Sequence, residues 1–229
     1  MGTLGRMAFS GFPAEGLDFL DGLEADNSKT YWTEHKATYE AALKQPMHSL
    51  LEEVDERFKP LRMFRPHRDV RFSKDKSPYK THIAAAGERQ GGTVYYVHLS
   101  SAGLMVGSGA YMLAADQIAR FRVAVAAEKA GTAFLALVEH FAKLKGMSLN
   151  HGGEDPLKTA PKGFAKDHPR IEWLRWKGAI VMQEFGDPEW LHTAKAKQKI
   201  EAAWTACDPL NDWLDRHVGP SEIPPEQRR

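Results

Sequence analysis

The sequence predicts an α+β fold, with a central, mainly antiparallel sheet flanked by N-terminal and C-terminal helices. Two features of the sequence indicate this class. Apolar residues recur at steps of three and four in both end regions, a spacing typical of helices with one buried side. The middle region, from Thr93 to Leu99, is instead rich in β-branched and aromatic residues, which favour strands. Helices on either side of a block of antiparallel strands define the α+β class.

The N-terminal helices are predicted from their start signals. Pro13 suits the first position of a helix, and the apolar residues Leu17, Leu20 and Leu23 follow at helical spacing. Asn27 is the predicted N-cap of a second helix, which we expect Pro46 to interrupt. The apolar side of this second helix comprises Trp32, His35, Tyr39 and Leu43. A third helix is predicted with the apolar stripe Leu50, Leu51, Val54 and Phe58.

Strands are predicted in the middle of the chain. Residues 68–72 alternate between polar and apolar side chains, which predicts a strand with one buried face. Residues 93–99 and 104–106 form a predicted hairpin, because a turn signal, Ser100–Ser101–Ala102–Gly103, separates them. Residues 82–86 are expected to add another strand.

The C-terminal half is predicted to return to helices. The expected elements are helices over 114–127 and 132–145, a Gly-, Pro- and Lys-rich loop over 146–168, a short helix over 171–176, a strand over 179–185, a long helix that starts at Asp187–Pro188, and a final helix from Asp208 to Val218. We expect one α+β domain over residues 9–218. A loose C-terminal tail is predicted over residues 219–229, which contain three prolines.

Cysteine and histidine usage excludes several kinds of site. The single cysteine, Cys207, cannot form an intramolecular disulfide and leaves no zinc-ribbon pattern. It is predicted to be a buried, inert thiol on a helix face. The ten histidines form neither an H-x-x-x-H nor an H-E-x-x-H pair. We therefore predict no metal ligands, with a metal site built from distant His and Asp side chains as the alternative. The sequence leaves the cofactor, if there is one, unknown.

Hydropathy predicts a protein without a membrane segment. No apolar stretch approaches the ~20 residues that a membrane-spanning helix requires. The first seven residues lack the apolar run of a secretory signal peptide. We expect a cytoplasmic location, and the sequence does not indicate an oligomeric state.

Positive charge is concentrated in one segment of a nearly neutral chain. The formal net charge is +1, yet Arg57 to His82 contains nine Lys and Arg residues against Asp69 and Asp75, a local excess of seven. Cations held together on folding repel one another unless acids or an anion compensate them. Arginine suits planar carboxylate or phosphate groups, and lysine offers a point charge. The segment therefore predicts a pocket for a small phosphate- or carboxylate-bearing ligand.

The candidate ligand-binding residues come from this segment and from the later basic loop. They are Arg65, Arg68, Arg71, Lys74, Lys76, Lys80, Lys158 and Lys162. We expect the loop to fold over the pocket as a lid, with Lys158 or Lys162 close to Arg68, Arg71 and Lys80. If the protein is an enzyme, which the sequence leaves undecided, the candidates for proton transfer are Asp69 and Tyr79.

Two alternative functions stand beside this hypothesis. In the first, the protein is structural or binds a protein partner, and the basic segment forms internal ion pairs while the later loop is merely solvated. The second is nucleic-acid binding, which the near-neutral total charge makes the weaker choice. Two interpretations also remain for Trp32 and Tyr39, which either pack in the core or form an aromatic wall of the pocket.

Three stretches of the chain also resemble an uncharacterised, mostly bacterial, conserved-hypothetical family. They comprise Phe19–Leu20 with Leu23, Asn27, Trp32 and Tyr39, then Phe64–Arg65 with Arg68 through Thr81, then Leu157–Lys158 with Pro161 through Phe164 and Asp167 through Pro169. Together they extend over roughly residues 9 to 218. The family often has a second Asn where this chain has Ser28. The resemblance implies an intact fold and a shared site, without implying a reaction.

Overall fold

The computed structural model describes residues 8–71, 74–89 and 92–227. The α-helices are α1 (Ala14–Ala25), α2 (Lys29–Thr38), α3 (Gln45–Glu53), α4 (Ala115–Ala126), α5 (Glu128–Ala142), α6 (Ile171–Leu174), α7 (Lys195–Ala206) and α8 (Asp208–His217). The strands are β1 (Arg62–Met63), β2 (His82–Glu88), β3 (Val94–Ser100), β4 (Gly103–Ala110), β5 (Met147–Asn150) and β6 (Ala179–Gly186). A π-helical turn covers Tyr39–Lys44, and 3-10 turns cover Glu56–Phe58, Glu189–His192 and Pro225–Gln227. This content confirms the α+β class.

The strands form one antiparallel sheet in the order β1-β2-β3-β4-β6-β5. At one edge Arg62 pairs with Ala86, and at the other Met147 pairs with Gln183. The predicted hairpin is confirmed as β3 and β4. Gly103 follows its turn with φ at +100°, and a Cβ there would lie 2.1 Å from the backbone of Gly186. Only glycine fits this position without displacing the neighbouring strand.

The described chain divides into two compact units. Unit 1 comprises Met1–Gly87, Tyr96–Val106 and Phe185–Ala202, and unit 2 comprises Glu88–Tyr95, Gly107–Glu184 and Ala203–Arg229. Each unit thus draws on segments that are far apart in sequence. The prediction of one domain over residues 9–218 concerns how the chain folds, and it stays a prediction.

The core of unit 1 is built by the predicted apolar stripes of the N-terminal helices. Leu20, Leu23 and Leu43 are almost fully buried, and α1 packs against α2 and the π-helical turn. One predicted member of the second stripe lies elsewhere. His35 is exposed on α2 and stacks on Tyr31, with 4.1 Å between their ring centroids.

Pro46 does not interrupt the helical run, in contrast to the prediction. The run continues from α2 through the π-helical turn into α3, and Pro46 lies in the first turn of α3. The N–H of Gln45 donates to the carbonyl of Glu40, five residues earlier. This wider turn moves the preceding carbonyls away from the proline ring, with which they would clash in a regular α-helix.

The N-cap of α2 is Ser28 and not Asn27. The Ser28 hydroxyl accepts a hydrogen bond from the N–H of Tyr31, at 3.1 Å. Both residue types are good N-caps, so local preference does not separate two adjacent candidates. The Asn27 side chain instead forms hydrogen bonds with the basic segment, so the helix starts one residue later.

The predicted strand over residues 68–72 is wrong for the part that the structure describes, which ends at Arg71. Residues 68–71 have no strand partner, and the segment joins only a single antiparallel bridge between His67 and Tyr79. Pro66 and Pro78 flank the bridge. Since proline has no N–H to donate, a longer ladder at these positions is unfavourable. Phe72 lies outside the described residues.

Unit 2 has its own aromatic core beneath α4, α5 and α8, which contact one another. Phe134 is fully buried and meets Phe121 and Trp213 at centroid distances of 5.5 and 4.9 Å. Cys207 is buried, as predicted, and burial raises the pKa of its thiol to about 12. A thiol in this state is a poor nucleophile.

Two C-terminal predictions need correction. The predicted loop over 146–168 contains β5, which pairs with β6. Pro188 precedes only a 3-10 turn, and α7 starts at Lys195. The tail is held at its start, because Asp116 accepts hydrogen bonds from the Ser221 hydroxyl and the Glu222 N–H, both at 2.8 Å. Asp116 and Ser221 are 105 positions apart in the chain, so no local pattern indicates this contact.

Candidate functional site

The basic segment of unit 1 closes on itself as a loop. The N–H of Arg68 donates to the carbonyl of Pro78 at 2.9 Å, and the N–H of Lys80 donates to the carbonyl of Pro66 at 2.8 Å. These two bonds surround the His67–Tyr79 bridge. In an antiparallel bridge the flanking residues share one face, so Arg68 and Lys80 are brought together from positions twelve residues apart in the chain.

The side chain of Asn27 fixes one end of this loop to the N-terminal helices. Its amide oxygen accepts from the N–H of Tyr79 at 3.0 Å, and its amide nitrogen donates to the Tyr79 carbonyl at 3.1 Å. Both hydrogen bonds are partly buried. The first and second stretches of the family resemblance therefore meet at this contact.

Replacing Asn27 with Ala should destabilise unit 1 by about 1–3 kcal/mol, because it leaves two partly buried backbone groups of Tyr79 without partners. The exchange of the Tyr79 amide with solvent deuterium should accelerate. Ser28→Ala is the matched control, which removes the helix cap at a cost of about 1 kcal/mol and should leave Tyr79 protected. Equal protection of Tyr79 in both variants would contradict this role of Asn27.

Aromatic rings cover the inner side of the loop. Tyr79 stacks on Trp32 with 4.2 Å between centroids and 8° between ring planes, and His67 lies 5.2 Å from Tyr79. Tyr39 contacts Trp32 at 4.8 Å. Trp32, Tyr39 and Tyr79 are all buried, so these rings hold the loop against the helices.

A cleft of about 490 Å³ opens beside these rings. Its lining is Trp32, Lys36, Tyr39, Glu40, Lys44, Met63, Phe64, Arg65, Pro66 and His67. We call it the basic–aromatic cleft. Glu40 pairs with Lys44 at 2.6 Å, which neutralises one cation of the lining. Trp32 and Tyr39 are thus both core residues and part of a pocket wall, so the two alternatives for this pair are compatible. A volume of this size suits a small ligand.

Lys80 lies at the edge of this cleft. Its ammonium group is 5.2 Å from the centroid of the Phe64 ring, which lines the cleft and is 43% exposed. Burial lowers the pKa of Lys80, and the charges of Arg65 and Arg68 lower it further. Among the described residues, no carboxylate forms an ion pair with Lys80. The three cations therefore repel one another with incomplete compensation.

The two acids of the segment compensate two of its arginines. Arg68 pairs with Asp75, and Arg71 forms a two-pronged pair with Asp69 at 2.9 and 2.6 Å. Hydrogen bonds from Arg71 lower the pKa of Asp69, so this carboxylate is a weak base. Both pairs are exposed and contribute little to stability.

The remaining predicted site residues are placed as follows. Lys74 and Lys76 are exposed, and the Lys76 ammonium donates to the carbonyl of Val70 at 2.9 Å. Lys158 and Lys162 are exposed on the basic loop of unit 2. The predicted approach of this loop to Arg68, Arg71 and Lys80 joins residues of different units and stays a prediction.

A pair of stacked histidines next to the cations was not predicted from the sequence. His82 on β2 and His98 on β3 lie 4.5 Å apart between centroids, and His98 Nδ1 is 2.9 Å from the Tyr96 hydroxyl. Burial lowers the pKa of His82, and the charges of Lys80 and Arg68 add to the effect. Burial, followed by the neighbouring His82, lowers the pKa of His98 to about 4. The only sequence signal was their position in two of the predicted strands.

The described residues contain neither a metal-binding cluster nor a membrane-spanning helix. In that part of the chain, no group of three or more His, Cys, Asp or Glu side chains is arranged to hold a metal ion. The helices described are all too short or too polar to cross a bilayer.

Comparison with known proteins places the chain in a family. No curated protein and no solved structure is significantly similar to it. The model of the conserved hypothetical protein family DUF2461 matches residues 15–213, which begin within α1 and end within α8. The resemblance found in the sequence is thereby confirmed, and the chain belongs to the DUF2461 family.

Proposed function

We propose that the protein binds a small phosphate- or carboxylate-bearing ligand at Arg65, Arg68 and Lys80, beside the basic–aromatic cleft. The observation that supports this most strongly is the state of Lys80, a half-buried lysine that is repelled by two guanidinium groups and has no ion-paired carboxylate in the described structure. An anion at this position removes the repulsion and gains charge-assisted hydrogen bonds. Without an anion, the favourable free energy of folding has to offset the cost of assembling such a cluster.

The aromatic lining favours a ligand that also carries an apolar or planar group. Phe64 is partly exposed in the cleft, and Lys80 lies over its ring. A planar ligand that contacts Phe64 would bring its anionic group to Lys80 and Arg65. We place this binding in the cytoplasm of a bacterial cell, in keeping with the mostly bacterial family that the sequence resembles. Nucleic acid is the less favoured ligand, because the cleft is small and the chain carries a net charge of only +1.

A second candidate function is a structural or partner-binding role, which the observed ion pairs support. Arg68 and Arg71 each have a carboxylate partner within the same segment. If the segment is only an internal ion-pair network, no anion should stabilise the protein. The two candidate functions therefore differ in whether an anion stabilises the folded protein.

Thermal-shift screening against phosphorylated metabolites, nucleotides, carboxylates and short oligonucleotides tests the proposal. A compound that binds only the folded protein stabilises it by about 2.7 kcal/mol at a hundred times its Kd. Lys80→Met should weaken binding of the best compound by about tenfold to a hundredfold, because a hydrogen bond to a charged group contributes about 1.5–3 kcal/mol.

Arg71→Gln is the matched control, since it removes an equal charge that is already paired with Asp69. Its effect on affinity should be much smaller than that of Lys80→Met. No stabilisation by any anionic compound would overturn the proposal in favour of the structural role. Stabilisation by oligonucleotides alone would replace it with nucleic-acid binding.

A further inference from the structure

The surroundings of Lys80 are of the kind that makes the amine of a lysine nucleophilic. Its ammonium group lies at the edge of the basic–aromatic cleft, 5.2 Å from the centroid of the Phe64 ring, and is repelled by two guanidinium groups. The Lys80 side chain is half-buried. Lysines in such places lose their proton more readily than exposed lysines, because the charged form is both desolvated and repelled. The pKa of Lys80 is lowered for these two reasons. Anion binding alone does not need a deprotonated amine.

We propose that Lys80 forms an imine with small anions that carry an aldehyde or ketone group, such as 2-oxo acids or aldehyde phosphates. This inference rests on the proposed anion site, since Arg65 and Arg68 would hold the anionic group while Lys80 reaches the carbonyl carbon. A ligand of this class carries the negative charge that the anion site requires. It also carries the carbonyl group that reacts with Lys80.

The reaction needs no co-reactant. The neutral amine of Lys80 adds to the carbonyl carbon, and the nitrogen loses a proton while the carbonyl oxygen gains one, which gives a carbinolamine. The hydroxyl group then takes a further proton and leaves as water, and the nitrogen lone pair forms the C=N bond. The resulting iminium ion keeps the positive charge at the position of the original ammonium group. The condensation releases one water molecule and requires neither an oxidant nor a reductant.

In this proposal His82 carries these protons. It lies two residues after Lys80, at the start of β2, and the charge of Lys80 acts on it, so the two groups are neighbours. Its lowered pKa keeps the imidazole neutral near pH 7, in the form that accepts a proton from the attacking nitrogen. His98 stacks on His82 and holds its ring in place.

Reductive trapping tests the inference directly. The full chain is treated with pyridoxal 5′-phosphate and sodium cyanoborohydride, and modified lysines are identified by peptide mass spectrometry over time. Pyridoxal 5′-phosphate combines an aldehyde, a planar ring and a phosphate, which matches the composition of the site. Lys80 should be modified several-fold faster than Lys36, an exposed lysine that lines the same cleft. Inorganic phosphate should slow the modification of Lys80 and leave that of Lys36 unchanged.

Lys80→Arg separates this inference from the proposed function. It removes the amine and keeps a positive charge, so trapping at position 80 should disappear, while calorimetry should show phosphate binding weakened by less than in Lys80→Met. His82→Gln should slow the trapping of Lys80 without loss of phosphate binding. If modification follows exposure, with Lys36 ahead of Lys80, the imine inference is overturned, and intact phosphate binding in the same sample leaves the proposed function standing. If phosphate neither binds nor protects Lys80, both fail together.

Discussion

Trp32→Ala should destabilise the protein by about 3–5 kcal/mol, the usual cost of truncating a buried aromatic side chain. Trp32 is 8% exposed and contacts several rings within unit 1. Phe19 lies 5.9 Å from it between centroids, Tyr39 lies at 4.8 Å, and Tyr79 stacks on it at 4.2 Å. The substitution removes the surface on which the basic loop rests, so it should also weaken anion binding.

Urea denaturation of the purified variant measures the first effect, and titration with inorganic phosphate measures the second. Trp32→Phe is the control, because it keeps an aromatic face for Tyr79 and should recover most of the stability and the binding. A cost below about 1 kcal/mol for Trp32→Ala would contradict this expectation, since it would place Trp32 outside the core.

Acidification should destabilise the wild-type protein more than a His98→Gln variant, by about 2 kcal/mol between pH 7.5 and pH 5. His98 has a pKa of about 4 in the folded state, against an ordinary value of 6.5 in the unfolded chain. The unfolded state therefore binds the proton first as the pH falls. The contribution of the neutral histidine is fully present above about pH 6.5, is lost progressively below it, and stops changing below about pH 4.

Comparing the two proteins over this pH range separates the effect of protonation at position 98 from the effect of changed packing. Both proteins are free of charge at position 98 near pH 7.5, so their difference in unfolding free energy there reports only the change of side chain. The glutamine side chain of the variant does not titrate. As the pH falls, the unfolding free energy of the wild-type protein should therefore decrease relative to that of the variant. Denaturant unfolding at several pH values measures it. Parallel stability curves for the two proteins between pH 7.5 and pH 4 would refute the assignment of a depressed pKa to His98.

Much of the fold was predictable because it depends on local patterns. The hairpin of β3 and β4 follows from β-branched and aromatic residues and a glycine turn, and the N-terminal helices follow from leucine spacing. The strand predicted over residues 68–72, which is absent from the described residues 68–71, shows the limit of the pattern. Alternation describes which side chains share a face, yet a strand also needs a partner with free N–H groups, and the bridge to Tyr79 lies between two prolines.

The charged residues of the candidate site were predictable from the sequence, whereas the residues that hold them in position were not. Arg65, Arg68 and Lys80 were expected together because so few acids lie near them in sequence. The roles of Asn27 and the His82–His98 pair depend on which residues face one another after folding. Register and tertiary contact decide that, and a single sequence carries little information about either.

The structure also divides a basic run that the sequence presented as uniform. Arg71 and Arg68 use the only two acids of the segment, Asp69 and Asp75, while Lys80 has none of them as a partner. This division explains why the structural and the anion-binding hypotheses each fit part of the segment. It also makes Lys80 the residue whose state decides between them.

The pKa of Lys80, measured by NMR of its side chain with and without inorganic phosphate, is the most direct test of anion binding at this site. The signal is assigned by its loss in Lys80→Arg. We expect a pKa below the ordinary 10.5 in the free protein, and an increase when phosphate is added, because a bound anion favours the charged ammonium form. The same pKa in both samples would show that no anion binds beside Lys80 and would contradict the proposal.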